Sequence, residues 1–164
     1  MTQPQSPKIP HGIRLRVAGP EDRPFLLKLS ERLGDFPVPP WRTRAEIGAA
    51  DHAILLDALS HPTRESTIRV AETAEGQPLG YVFVTTREDY FTHQPHAHVE
   101  ILALAPEAEG RGIARLLIQA VEEWSRELGY TRVTLNVFAT NQRALGLYEH
   151  LGYRPETVHY LKDL

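Results

Sequence analysis

Two glycines in Glu109-Gly110-Arg111-Gly112-Ile113-Ala114 separate an apolar β-prone run from an amphipathic run of helical period. A glycine-rich turn that opens directly into a helix suits a pyrophosphate. Small residues at 110, 112 and 114 admit a ligand close to the backbone, and the free N–H groups of the helix start favour negative charge. The same spacing also serves a plain tight strand-to-helix connection. It is not a Walker loop, because no Gly-Lys-Ser/Thr follows, and it lacks the full Gly-x-Gly-x-x-Gly of a dinucleotide site.

Glu100 lies early on the strand before this turn. Simple alternation puts it on the face of Leu102 and Leu104, opposite Val99, Ile101 and Ala103. A carboxylate on an apolar strand is costly unless partnered, so Glu100 is either a functional group or a structural residue paired with an arginine. His93, His96 and His98 cluster nearby, with His96 and His98 on one strand face and His93 in a loop. No carboxylate set completes a metal site, so no metal is expected. Solvated loop histidines are one reading, acceptor recognition or an auxiliary base at His98 the other. The chain has no cysteine, which removes disulfides, thiolate zinc sites and a thiol nucleophile.

The elements that must position these residues follow from periodicity. Residues 1–11 read as a polar tail, and 12–164 as one domain. Ile13, Leu15 and Val17 alternate as a strand; Phe25, Leu26, Leu29 and Leu33 mark a helix. Pro39, Pro40 and Trp41 interrupt, and a second helix spans Arg42 to Leu59. Ser66 to Ala74 and Leu79 to Thr86 form a hairpin, followed by a polar loop over 87–96 and a strand over Ala97 to Ala105. Ile113, Leu116, Leu117, Ala120, Val121, Trp124 and Leu128 give a helix at 3.6-residue spacing. A strand over Thr131 to Phe138, a helix from Asn141 to His150 and a last strand over Thr157 to Leu161 complete a mixed α/β order. Asn141 suits an N-cap, and Tyr148 shares its helical region with Ala144, Leu147 and Leu151.

The 164 residues are 41% hydrophobic and 24% charged, an ordinary globular composition. A net charge of −3 gives no electrostatic footprint for nucleic acid or an anionic membrane. No apolar run approaches the roughly 20 residues of a membrane span, and no signal core precedes Pro10, so the cytoplasm is the expected location.

With those motifs in place, the chain resembles the GNAT superfamily of acyl-CoA-dependent N-acyltransferases, over about residues 12–162 and most strongly from 97 to 156. Gly112 and Ala114 match the fourth and sixth positions of the family's Gln/Arg-x-x-Gly-x-Gly/Ala motif, while Glu109 stands where Gln or Arg is usual. Arg111 and Arg115 are the expected offset to that charge. Thr134-Leu-Asn-Val-Phe-Ala-Thr-Asn141, followed by Ala144-Leu-Gly-Leu-Tyr-Glu-His-Leu-Gly-Tyr-Arg-Pro155, resembles the second family motif. The resemblance implies a GNAT-like mixed central sheet whose fourth and fifth strands splay apart around acetyl-CoA, flanked by helices. It implies a cosubstrate site formed by Leu102, Ala103, Leu104, Gly110, Arg111, Gly112, Ile113, Ala114, Arg115, Asn141 and Tyr148. It also implies an acceptor-side role for Glu100, as contact or as base through water, and proton donation to the departing thiolate by Tyr148. Trp41 is either a wall of the acceptor pocket or a core or interface residue. The implied reaction is acetyl transfer to a primary amine, on a small molecule or peptide, and family analogy suggests a homodimer. A longer acyl donor, or a non-catalytic acyl-CoA-binding module, are the other readings.

Overall fold

The computed structural model describes residues 12–164; the expected tail, 1–11, lies outside the described residues. Strand β1 (Ile13–Val17) leads into helix α1 (Arg23–Ser30) and helix α2 (Arg44–Ser60). Strands β2 (Ser66–Thr73), β3 (Pro78–Glu88) and β4 (Pro95–Leu104) follow. Helix α3 (Ile113–Glu127), strand β5 (Val133–Leu135) and helix α4 (Gln142–His150) complete the order. The five strands form one sheet in the order β1-β2-β3-β4-β5, antiparallel except for the parallel pair β4 and β5. Among the described residues no helix is long and apolar enough to cross a membrane.

Local chemistry accounts for the boundaries. Pro39 and Pro40 hold α2 off until Thr43, whose hydroxyl accepts from the Glu46 N–H while the Glu46 carboxylate accepts from the Thr43 N–H. This reciprocal cap starts the helix later than the apolar pattern suggests. β3 and β4 each run about two residues further toward their connecting loop than expected, because Asp89 caps the turn between them by accepting from the N–H groups of Phe91 and Thr92. α3 lays Ile113, Leu116, Leu117, Ile118, Val121 and Trp124 against the sheet. Burying each such side chain favours folding by about 1.5–3 kcal/mol before entropy is counted.

Two expected strands change. β5 is confined to Val133–Leu135, paired with Ala97, His98 and Val99, and no strand forms over 157–161. Val158 and Tyr160 are exposed. Alternation alone does not make a strand: residues 157–161 pair with none, although β5 leaves its outer edge free, and beyond Val99 the register of β4 is broken.

That break is a bulge. Phe83 pairs with Ile101 and Val84 with Val99, which leaves Glu100 as the extra residue. The bulge overturns the simple alternation. Upstream, His96 and His98 pair with Arg87 and Thr85; downstream, Ile101 and Ala103 pair with Phe83 and Tyr81, on the same face of β3. Glu100 bonds Thr85 and Arg87 and so joins that face, while Leu102 and Leu104 pair with Val82 and Gly80 on the opposite one.

Candidate active site

β4 continues from Glu100 to Leu104 with no partner on its β5 side, so the sheet opens into a gap at its fourth and fifth strands. The glycine turn lies where β4 meets α3. Gly110 and Gly112 take left-handed backbone angles, with φ of 71° and 76°, which only glycine adopts without strain. A Cβ at either position would meet no atom within 4 Å, so the approach to the backbone is clear there. Gly112 caps α3, and the unshared N–H groups of Ile113, Ala114 and Arg115 begin the helix. These are the features a diphosphate requires.

Glu109 is balanced by residues other than those expected. Its Oε2 accepts from Arg143 of α4 at 2.8 Å and its Oε1 from Arg32 at 3.4 Å, and Arg143 is the leading cause of its lowered pKa. Arg111 instead reaches the Glu107 carbonyl. Arg32 also donates to the Leu104 carbonyl at 2.7 Å, which ties the end of β4 to the segment after α1. The Arg143–Glu109 pair thus links α4 to the turn across the gap.

Glu100 has both carboxylate oxygens engaged. Arg87 donates to Oε1 and Oε2, at 2.8 Å each, and Thr85 donates to Oε1 at 2.6 Å. Asp51 of α2, half-buried, feels this charge: burial first and Glu100 second push its carboxyl upward. The histidines are not solvated as a group. His96 and His98 are buried and converge on the Thr134 hydroxyl of β5, His98 through Nδ1 at 2.7 Å and His96 through Nε2 at 3.0 Å. His93 stays in the loop beside Glu88. Among the described residues no three His, Asp or Glu side chains converge as metal ligands.

Burial first, then Arg87 and His96, lower the His98 imidazole to about 4, against an upward pull from Glu100. An unfolded imidazole titrates near 6.5, so between those values the unfolded chain holds the proton more tightly. His98 therefore costs no stability above about pH 6.5 and costs progressively more as pH falls toward 4. Denaturant titrations should show stability dropping by on the order of 2 kcal/mol across this window, less so in His98→Gln. Equal slopes for the two proteins would show that the ring is not desolvated.

Asn141 caps α4 by accepting from the Ala144 N–H at 3.1 Å. Tyr148 packs against Tyr153 with ring centroids 5.8 Å apart, and burial raises its phenol to about 12. Trp41 is 56% exposed, which removes it from the core. The structure thus gathers Leu102, Ala103, Leu104 and residues 110–115 along one edge of the gap, and links them to α4, which carries Asn141 and Tyr148, through Glu109. Arg32, Asp51, Arg87, Thr134 and Arg143 were not singled out in the sequence. Arg87 and Thr134 reach their partners through strand pairing, and Arg32, Asp51 and Arg143 through helices and turns that pack beside the sheet.

The comparisons with known proteins agree with this geometry. Residues 30–153 match the model of the acetyltransferase (GNAT) family. An uncharacterized N-acetyltransferase of Bacillus subtilis, YdgE, is 32% identical over 90 residues, which are 55% of this chain and 56% of that one. The mycothiol acetyltransferase of Pseudarthrobacter chlorophenolicus is 27% identical over 147 residues, 88% of this chain and 43% of that one. The chain thus spans about half the length of these curated relatives. The crystal structure of the aminoglycoside 6'-N-acetyltransferase AAC(6')-Ih from Acinetobacter baumannii superposes with a TM-score of 0.68 at 20% identity, covering 93% of this chain and 99% of that one. With a family model matching most of its length and a sheet that opens beside a glycine turn, the chain belongs to the GNAT acetyltransferase family.

Proposed function

We propose that residues 12–164 form a single N-acetyltransferase domain that moves an acetyl group from acetyl-CoA to a primary amine of a small molecule, by direct attack in a ternary complex in the cytoplasm. The observation that carries this reading is the gap beside β4, with two left-handed glycines and the start of α3 at its mouth. The aminoglycoside and mycothiol acetyltransferases among the similar proteins support a small-molecule acceptor.

Acetyl-CoA supplies the activated acyl group. The N–H groups at 112–115 hold the diphosphate, with Gly110, Arg111 and Gly112 shaping the turn, and the open edge over Leu102, Ala103 and Leu104 lines the pantetheine arm with Asn141. The acceptor meets the face of Glu100 and Asp51. An alkylammonium has a pKa of about 10.4 and must lose a proton before it attacks. Glu100, directly or through water, takes that proton. The nitrogen lone pair then bonds to the thioester carbon and the carbon–sulfur bond breaks; Tyr148 donates its hydroxyl hydrogen toward the departing sulfur, and the second proton of the attacking nitrogen leaves through water, which keeps Tyr148 and the thiol protonated.

Gly112→Asp tests the reading. It should place a carboxylate where the diphosphate sits and raise the CoA dissociation constant well over tenfold, a loss of more than about 1.4 kcal/mol. Gly112→Ala carries the same backbone cost without the charge and should weaken binding far less. Unchanged CoA affinity of a folded Gly112→Asp by calorimetry contradicts the site. CoA release across a library of amines then identifies the acceptor; binding of acetyl-CoA with no release for any amine would favour a binding module.

A further inference from the structure

The inward stripe of α2 carries a carboxylate. Ile47, Asp51 and Leu55 follow one another a helical turn apart and share one face of the helix. Ile47 and Leu55 are buried in the core, and Asp51 stands half-buried between them. A charge on such a stripe is costly unless an opposite charge or hydrogen-bond donors meet it. Among the described residues Asp51 has neither. Burial first and the Glu100 charge second raise its pKa, and no donor or cation acts against them.

The neighbouring groups leave that charge uncancelled. Tyr81, Thr85 and Arg87 lie on one face of β3, and Glu100 joins them through Thr85 and Arg87. Arg87 is committed to Glu100, at 2.8 Å from both of its oxygens, so that pair is close to neutral. His98, held near 4 by burial, is uncharged at neutral pH. Asp51 is then a negative charge in excess. A second, independent observation lies beside it. Tyr81 is fully buried, yet its hydroxyl has no hydrogen-bond partner, and burial and then the Asp51 charge raise its pKa. An ammonium has three donors and no acceptor, which suits the Asp51 oxygens and the Tyr81 oxygen together. The nitrogen that is acetylated cannot fill this place. It attacks as a neutral amine, and a second carboxylate beside it would hold its proton more tightly. We infer that Asp51 seats a second cation of the acceptor, an ammonium that stays charged during the transfer, so that the substrates are diamines with one nitrogen at Glu100 and the other on Asp51. The inference rests on the acetyltransferase reading and narrows it to amines that carry a further positive charge.

The test is calorimetry of the full chain saturated with CoA, titrated at neutral pH with putrescine and cadaverine and, for comparison, with n-butylamine and n-pentylamine. Each diamine should bind at least about tenfold tighter than the monoamine of equal carbon count, the effect of one charged hydrogen-bonded contact. Asp51→Asn should erase that difference and Asp51→Glu should keep most of it, whereas a merely structural residue would shift both kinds of amine together. Equal affinity of diamine and monoamine for the parent protein, an unchanged difference in Asp51→Asn, or failure of both diamines to bind the CoA complex each overturns the inference. So does an equal loss for both kinds of amine in Asp51→Asn, which would put Asp51 at the reacting nitrogen or in the scaffold. Failure of the acetyltransferase reading shows separately, as absent binding of acetyl-CoA and CoA before any amine is added.

Discussion

Glu100→Gln should lower turnover by roughly 100-fold at neutral pH. Gln keeps the shape of the side chain and an oxygen for the Thr85 hydroxyl, which donates to Glu100 at 2.6 Å. It cannot take a proton. Arg87 loses its ionic partner, but its side chain is 47% exposed and remains hydrated, so the fold should survive. The pH profile carries the diagnosis. If Glu100 removes the amine proton, the deficit should shrink as pH approaches the pKa of the amine, where the acceptor arrives already neutral. A deficit independent of pH would assign Glu100 to holding the acceptor through its charge, and parent-like turnover would make it the structural partner of Arg87.

Tyr148→Phe should leave CoA affinity and melting temperature near the parent values while turnover falls by one to two orders of magnitude. The ring that packs against Tyr153 is kept, and only the hydroxyl goes. Burial raises this phenol to about 12, so it is neutral at every physiological pH and always carries its hydrogen. A thiol titrates near 8.5, so full transfer to the departing sulfur is uphill. The useful interaction is a hydrogen bond that strengthens as charge grows on sulfur. A thioester with a less basic leaving group needs less of that help and should suffer less from the substitution. Equal turnover of Tyr148→Phe and parent with acetyl-CoA at saturating amine would remove the hydroxyl from the chemistry.

The parts of the site legible in the sequence are those encoded within a few residues. The glycine turn, the apolar stripe of α3 and the Asn141 cap each depend on local backbone chemistry, and each stands where the sequence puts it. The face of Glu100 was not legible. A single extra residue in β4 reverses the phase of everything after it, and nothing in Val99-Glu100-Ile101 marks it. Sequence proximity points Glu109 to Arg111 and Arg115, whereas the fold supplies Arg32 and Arg143 from other elements. The burial of His96 and His98 depends on Thr134, 36 residues beyond His98, and is fixed only when β5 docks. The strand expected over 157–161 has the right alternation, but these residues pair with no strand of the sheet.

The seam between β4 and β5 is only three residue pairs long, and the side chains of α4, Tyr148 among them, are covered only in part. Cohesion in the molecule is therefore uneven. The sheet from β1 to β4 is continuously paired and packed against α3, whereas α4 is held by a cap, an ion pair and half-covered apolar side chains. A long thin guest wedged between them would contact both parts and complete the missing contacts of α4. On the proposed reading that guest is acetyl-CoA, and the wall bearing Tyr148 would be finished by the acyl donor itself. The proposed reaction would then run in an obligatory order, donor before acceptor, because an amine arriving first would meet a pocket that lacks one of its walls.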